Sequence, residues 1–544
     1  MIQNKKSFIL ISSALVLLAI VAYFGATTMV DAIYAYRSPL SLNPPQSAEA
    51  TVSSPATEKV VMVLVDALRL DTSLDPEVMP TLSQLRKAGA SAIMHSQTPS
   101  FSSPGYSTIF TGAYPYLNDG PAFNLDYEDI PTWTQENLLT NAHRAGMDTA
   151  ISAYNWFEKL VPQSAVTHSF YTPGEDRQAD VEVMQAALPW LDDRDTKLIL
   201  IHLDQVDYAG HHEGGATGDN WKAAARRVDQ LVADVLDHMN LEEETLLVFS
   251  DHGQIDAGGH GGGEQIVLVE PFIIAGKGVK PGTYPDMEMV DIAPTVSALL
   301  GVSIPATTQG NPLFDLLDID KTTRNQYGTR IDAIHAELAA RYQAAIGLEL
   351  PVVENASAAD IRDLRLMQDR WQRSVIGIGY LLAVGLILFK VRKSLPALIA
   401  GAMAYLAVFN LKYLVIDKSA YSFSAIIDPT SLIVAIAINT LLALVFGMLI
   451  YWLLEKKRED APGAWQNRLL VFSGVLCLWL AVPVILHVWW NGVIPTWTLP
   501  EITLYFIAIA FLIQILVTAI AGILLALGLG SFLNWRQQKK LRAI

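Results

Sequence analysis

A chain of 544 residues exceeds what one ordinary hydrophobic core organises, and 51% hydrophobic composition with mean hydropathy +0.30 calls for a lipid-facing unit beside a water-facing one. A net charge of -16 argues against a nucleic-acid polymer as partner, because phosphate backbones are bound by basic surfaces. The single cysteine, Cys477, excludes an intramolecular disulfide, so any metal site must be built from histidines and carboxylates.

The chain opens with an apolar stretch over about 8–30, long enough to cross a roughly 30 Å hydrocarbon layer as a transmembrane anchor within residues 1–31. A cleaved signal peptide with small residues at Ala32 and Ala35 is the competing reading, and either one exports the segment after it. Residues 32–58, rich in Pro, Ser and Ala and without periodicity, read as a linker. A soluble domain is expected over 59–320. There the apolar runs VVMVLV (60–65), KLILIHL (197–203), TLLVFS (245–250) and PFIIAG (271–276) alternate with helical patterns such as 134–145 and 221–239. Continuous Val/Ile/Leu strands alternating with helices predict an α/β/α sandwich around a mostly parallel sheet, with ligands at the carboxyl ends of the strands.

Residues 321–372 read as an amphipathic helical neck, with the sequon Asn355-Ala-Ser357 inside it. Five further apolar stretches, 373–390, 394–412, 430–454, 467–489 and 502–532, predict a five-helix transmembrane domain over 373–544. Lys5 and Lys6, the Lys390/Arg392/Lys393 turn, Lys456/Lys457/Arg458 with Arg468, and the Arg536 to Arg542 tail flank alternate ends. The positive-inside rule then puts both termini in the cytoplasm and residues 31–372 outside, for a multi-pass protein of the plasma membrane. Trp489, Trp490, Trp497 and Trp535 are expected as interfacial anchors. Asn439 and Gln514 fall within hydrocarbon, where they would either meet a polar lipid substrate or hydrogen-bond helix to helix.

Polar residues gather where the predicted strands end. Asp66 follows 60–65, Asp207 and His211 follow 197–203, Asp251 and His252 follow 245–250, and His260 lies in the loop GGHGGG. Taken singly, Asp66 reads as a helix cap, Asp207/His211 as a capped turn and His260 as a loop histidine. Together, three aspartates and three histidines on one edge are a ligand set for two divalent cations, with zinc favoured by the imidazoles and manganese as the second choice. The segment TPSFSSPGYSTIFTG (98–112) places serines before Pro104 at a helix start. They read as caps, or as a nucleophile beside N–H groups that hold phosphate oxygens.

These residues resemble the alkaline phosphatase superfamily, in its branch of nucleotide pyrophosphatase/phosphodiesterases and GPI ethanolamine phosphate transferases. The resemblance rests on VLVDALRLD (63–71), SFSSPGYSTIFTG (100–112), YNWFEKLVP (154–162), VDYAGHHEG (206–214), FSDHGQIDAGGHGG (249–262) and VDIAPTVSALLGVSIP (290–305). The first and third blocks look more like the ethanolamine phosphate transferases. The resemblance implies that Asp207, His211 and His260 bind one metal, and that Asp66, Asp251, His252 and the nucleophile bind the other. It selects Ser102, two residues before Pro104, as that nucleophile, and it gives Asn124 a hold on the substrate phosphoryl oxygen. The family nucleophile is usually threonine, and Ser100 and Ser103 flank Ser102.

The resemblance and the membrane helices together imply a transferase of a phosphoethanolamine-type group, taken from a phospholipid through a covalent serine intermediate and passed to a lipid-linked or cell-surface glycan. The alternatives are a metal-dependent phosphodiesterase, with water resolving the same intermediate, and a non-catalytic ligand-binding or transport protein.

Overall fold

A computed structural model describes residues 5–349, 356–426, 429–456 and 464–541. Asn355 of the sequon, with Lys457, Arg458 and Arg542 of the basic clusters, lies outside them. The chain forms two compact units: a sheet unit of residues 33–365 with 496–502, and a helical unit of 1–32, 366–495 and 503–544.

Among the described residues the sheet unit holds nine strands: β1 (Val60–Val65), β2 (Ala90–His95), β3 (Asp148–Tyr154), β4 (His168–Thr172), β5 (Thr196–Leu203), β6 (Thr245–Phe249), β7 (Val269–Gly276), β8 (Gly282–Thr283) and β9 (Met287–Glu288). Their order is β4-β3-β5-β1-β6-β7-β2-β8, with β9 also on β2. From β4 to β6 every pair is parallel, whereas β7 runs antiparallel to both β6 and β2. The run at 271–276 is therefore the antiparallel member of a mostly parallel sheet.

Period-two alternation builds the core on both faces at once. Val60, Met62 and Leu64 of β1 face one layer with Leu198, Leu200, Leu247 and Phe249. Val61, Val63 and Val65 face the other with Ile199, Ile201, Leu246 and Val248. Helices Arg177–Asp192 and Asp219–Asp237 cover the second face, and α1 (Ser102–Thr111) with Ile292–Leu300 covers the first.

The helix expected over 134–145 is confined to Leu138–Arg144. Asp119 Oδ2 accepts the N–H groups of Thr134 and Gln135, which holds them out of the helix, and Asn137 caps the helix through Thr140. Within 32–58 the chain is tied along the sheet unit. Ser47 N donates to Glu136 Oε1 at 2.9 Å, Ala56 N donates to Leu299 O at 2.8 Å, and Thr51 bridges Val302.

Among the described residues, six helices are long and apolar enough to span a membrane: Lys5–Tyr34, Ala358–Lys390, Arg392–Ile416, Pro429–Glu455, Trp465–Asn491 and Ile502–Lys539. Within the helical unit, Gly401 and Gly447 let two backbones approach so closely that a Cβ on either would lie 2.8–2.9 Å from the other's carbonyl oxygen. Asn439 Nδ2 donates to Asp417 Oδ2 at 2.8 Å, and Gln514 Oε1 accepts from Tyr405 at 3.0 Å. Both intramembrane amides thus hydrogen-bond inside the bundle. Trp490 stacks under Arg370 at 3.6 Å, but Trp497 packs in the sheet unit with Tyr116 and Tyr342, where an apolar cluster receives its ring.

Candidate metal and nucleophile site

The parallel strands deliver their polar residues to one edge. β1 ends into Asp66, after which Ala67 turns the chain at φ 58 and donates its N–H to Asp251 Oδ1 at 3.2 Å. β6 ends into Ser250, Asp251 and His252. β5 leads through Asp204 into α2 (Gln205–His212), which carries Asp207 and His211 four residues apart on one face.

Each of two histidines is oriented by a carbonyl at its far nitrogen. His252 Nδ1 lies 3.1 Å from Gly253 O, and His260 Nδ1 lies 3.2 Å from Ser100 O, so both Nε2 atoms turn inward. His252 Nε2 then lies 3.5 Å from Asp66 Oδ1, 3.4 Å from Asp251 Oδ2 and 3.2 Å from Ser102 Oγ. Around Asp207 Oδ1, His211 Nε2 stands at 3.5 Å and His260 Nε2 at 3.7 Å. Asp207, His252 and His260 thus bring ligand atoms within 4.8 Å of one another, as do Asp66, Asp251 and His252, while His211 stands beside Asp207 at the margin of the first group.

The residues fit divalent cations on three counts. Ligand atoms on a tetrahedral cation at about 2.1 Å lie about 3.4 Å apart, close to the spacings here and too long for hydrogen bonds. Asp66 Oδ1 and Asp251 Oδ2 are buried without a hydrogen-bond partner among the described residues, an expensive state for a carboxylate that a cation relieves. Protonation is frustrated as well. Burial, then the Asp66 charge, push Asp207 and Asp251 far above the usual carboxylate range. Burial would raise Asp66 too, but the His202 hydrogen bond and the neighbouring imidazoles hold it low. Burial depresses His252 and His260 and brings His211 to about 4, so the imidazoles stay neutral and their lone pairs are free to ligate.

Helix α1 sets the nucleophile. Pro104 suits its first turn and Gly112 closes it in the left-handed region at φ 69. The serines do not cap it: Phe101 is the N-cap residue without a side-chain bond, and the Ser103 N–H is taken by Asn124 Oδ1 at 3.0 Å. The three serines differ sharply in environment. Ser100 Oγ donates to Gly262 O at 2.7 Å and accepts from Gly261 N at 3.1 Å, which ties it to the glycine-rich loop. Ser103 Oγ is buried and faces no partner among the described residues, whereas Ser102 is 6% exposed and meets His252. Gly105 brings the helix against Asp251, since a Cβ there would lie 3.0 Å from Asp251 Cβ.

Four supporting residues are not evident from the sequence motifs. Tyr106, one turn after Ser102, donates to Asp66 Oδ2, and its hydroxyl lies 3.0 Å from His202 Nε2, itself 3.0 Å from Asp66 Oδ2. His202 interrupts an otherwise apolar strand, and that is a readable signal; the Tyr106 contact depends on helix placement. Gln254 is fully buried and donates to both Oδ1 and the carbonyl of Asp207. Its amide lies so close to Gly210 that a Cβ there would fall 1.6 Å from Gln254 Oε1. Asp204 stands with Asp66 and His202, one ligand atom from each lying within 4.8 Å of the others.

The Type I phosphodiesterase / nucleotide pyrophosphatase family matches residues 60–298. Human GPI ethanolamine phosphate transferase 2, catalytic subunit, is 26% identical over 291 residues, which are 49% of this chain and 29% of that protein. Saccharomyces cerevisiae GPI ethanolamine phosphate transferase 2 is 24% identical over 369 residues, or 58% of this chain and 42% of that one. The chain thus spans less than half the length of these relatives. Among solved structures, human ectonucleotide pyrophosphatase/phosphodiesterase 5 superposes with TM-score 0.41 at 15% identity, covering 48% of this chain and all of that one. A mutant of the alkaline phosphatase PafA gives 0.39 at 13% identity, covering 49% of this chain and all of that one. Residues 60–298 are a type I phosphodiesterase / nucleotide pyrophosphatase domain of the alkaline phosphatase superfamily, distantly homologous to the GPI ethanolamine phosphate transferases.

Proposed function

We propose that this membrane protein transfers a phosphoethanolamine-type group from a phospholipid to a lipid-linked or cell-surface glycan, through a covalent intermediate on Ser102. The observation that carries the reading is the position of Ser102 Oγ, 3.2 Å from His252 Nε2 and beside two Asp/His clusters, while Ser100 and Ser103 are turned elsewhere. Asp207, His211 and His260 would hold one divalent cation; Asp66, Asp251, His252 and Ser102 would hold the other, with zinc suited to the imidazoles. Bound there, such cations supply a lowered serine pKa and neutralise the phosphoryl oxygens.

The chain's own residues do the positioning. Ser102 gives up its hydroxyl proton and attacks phosphorus from the N-terminus of α1, where the helix favours negative charge, and the P–O bond to the lipid breaks so that diacylglycerol leaves as an alcohol carrying a proton. Asn124, held on the Ser103 N–H, keeps its amide nitrogen as the donor for a phosphoryl oxygen. Tyr106 and His202 grip one oxygen of Asp66 and leave the other for the site. A hydroxyl acceptor then takes the phosphoryl group from Ser102. The homology to GPI ethanolamine phosphate transferases favours that acceptor over water, although the family match equally supports a phosphodiesterase in which water completes the reaction.

The alternating basic flanks support a plasma-membrane topology with both termini cytoplasmic and residues 59–320 outside, between an anchor at 1–31 and linker at 32–58, and a neck at 321–372 leading to helices over 373–544. The test is to incubate the full-length protein with zinc and phosphatidylethanolamine vesicles and to search the 98–112 peptide for phosphoethanolamine by mass spectrometry. An adduct on Ser102 that a glycan acceptor discharges is the expected result. Hydrolysis without transfer to any acceptor, abolished by Ser102→Ala, would assign the protein to the hydrolases instead.

A further inference from the structure

The conspicuous block YNWFEKLVP supplies no metal ligand and no nucleophile, yet β3 delivers its first residues to the same edge as the cation site. Tyr154 ends β3, Glu175 follows β4 by three residues, and Asp204 follows β5 directly. In the sheet β5 pairs with β1 on one side and β3 on the other, so this group continues the site away from β6. Asp204 is its centre. Although only 6% exposed, its carboxylate receives no hydrogen bond from the described residues: it leaves α2 uncapped, while its backbone N–H donates to Asp180 Oδ1 at 2.8 Å and its backbone carbonyl accepts from Tyr208 N at 3.1 Å. Its neighbours are the acidic groups Asp66, Asp207, Glu175 and Asp180. The Tyr154 hydroxyl lies beside Glu175 and in the field of Asp204, and its ring stands 5.2 Å from Trp156 in an edge-to-face pair.

We propose that Asp204, Glu175 and the Tyr154/Trp156 rings form a subsite for the primary ammonium of an alkanolamine phosphate, holding the headgroup while Ser102 attacks its phosphorus. The inference rests on the reading that Ser102 attacks a headgroup phosphoester. A buried, unpartnered carboxylate needs a cation, and the chemistry around it selects an organic one. Aromatic faces attract ammonium groups, and the three N–H donors of a primary amine suit two carboxylates that offer only acceptors. A third divalent ion fits less well, because the His202 imidazole grouped with Asp204 already engages Asp66 and Tyr106 through Nε2.

The test compares binding of phosphoethanolamine and n-propyl phosphate, which replaces the ammonium by a methyl group, to the full-length zinc-loaded Ser102→Ala protein by calorimetry. Phosphoethanolamine is expected to bind about tenfold tighter, the scale of a charge-assisted hydrogen bond, and Asp204→Asn should shrink the ratio to about twofold. Glu175→Gln, on a loop, should shrink it too and carries the test if Asp204→Asn does not fold. Equal affinities in the parent, binding of neither compound, or a preference that survives both substitutions overturns the proposal. So does a third zinc ion per chain that Asp204→Asn removes. A preference seen here without transfer in the adduct experiment would keep the subsite and reject the transferase.

Discussion

The two units bury different kinds of polar group. In the helical unit the buried Asn439 amide donates to Asp417 and the Gln514 carbonyl oxygen accepts from Tyr405, and the one group of these two amides left without a partner among the described residues, Gln514 Nε2, is neutral. At the edge of the sheet unit, Asp66, Asp204, Asp207 and Asp251 crowd together with His202, His211, His252 and His260, and an oxygen of Asp66 and one of Asp251 have no partner among the described residues. Paired burial specifies which helices pack together. Crowded carboxylates with unpartnered oxygens are an arrangement that a bound cation would relieve.

Four measurements would break or sharpen that contrast. The largest effect is expected from Ser102→Ala, which should lower turnover of a phosphodiester about a thousandfold or more, while Ser100→Ala should cost far less; equal losses would reassign the nucleophile. Chelation comes next. Removing divalent cations should abolish turnover and destabilise the sheet unit by about 4 kcal/mol per bound cation relative to zinc at a thousandfold above its dissociation constant, leaving far-ultraviolet helicity of the bundle intact. Thermal unfolding with and without zinc measures it, and an unchanged sheet-unit transition would contradict the cation site. Tyr106→Phe should then weaken zinc binding about ten- to a hundredfold without unfolding the domain, because Asp66 loses one of the two groups that orient it. Smallest of all, Gln514→Leu should cost about 1 kcal/mol in bundle stability and leave zinc stoichiometry at its parent value. A loss of zinc in that variant would erase the distinction between the two kinds of burial.

Much of the site was legible because parallel strands place their carboxyl ends together, so residues after 65, 203 and 250 had to converge once those runs were strands. Asp66, Asp207, His211, Asp251, His252 and His260 accordingly lie where strand ends and one glycine-rich loop predicted them. Less was readable where the decision came from contacts distant in the chain. Whether Ser100, Ser102 or Ser103 faces His252 depends on the helix starting at Phe101 rather than on a serine cap, and on Gly262 capturing Ser100. Trp497 looked like an interfacial anchor because its neighbours in sequence are apolar helices, but its neighbours in space are Tyr116 and Tyr342.

By itself the sequence determined the elements whose signal is local: six apolar stretches, the alternation of buried strands with helices, and the ligand types at strand ends. Periodicity and side-chain chemistry are properties of adjacent residues, so they need no fold to be read. Only the tertiary structure decided that β7 runs antiparallel, that Tyr106 and His202 brace Asp66, that Gln254 holds Asp207, and that the Asp204 carboxylate meets no donor among the described residues. Those facts join residues as far apart as 66 and 202, and a partner at such separation is chosen by packing, which no local pattern records.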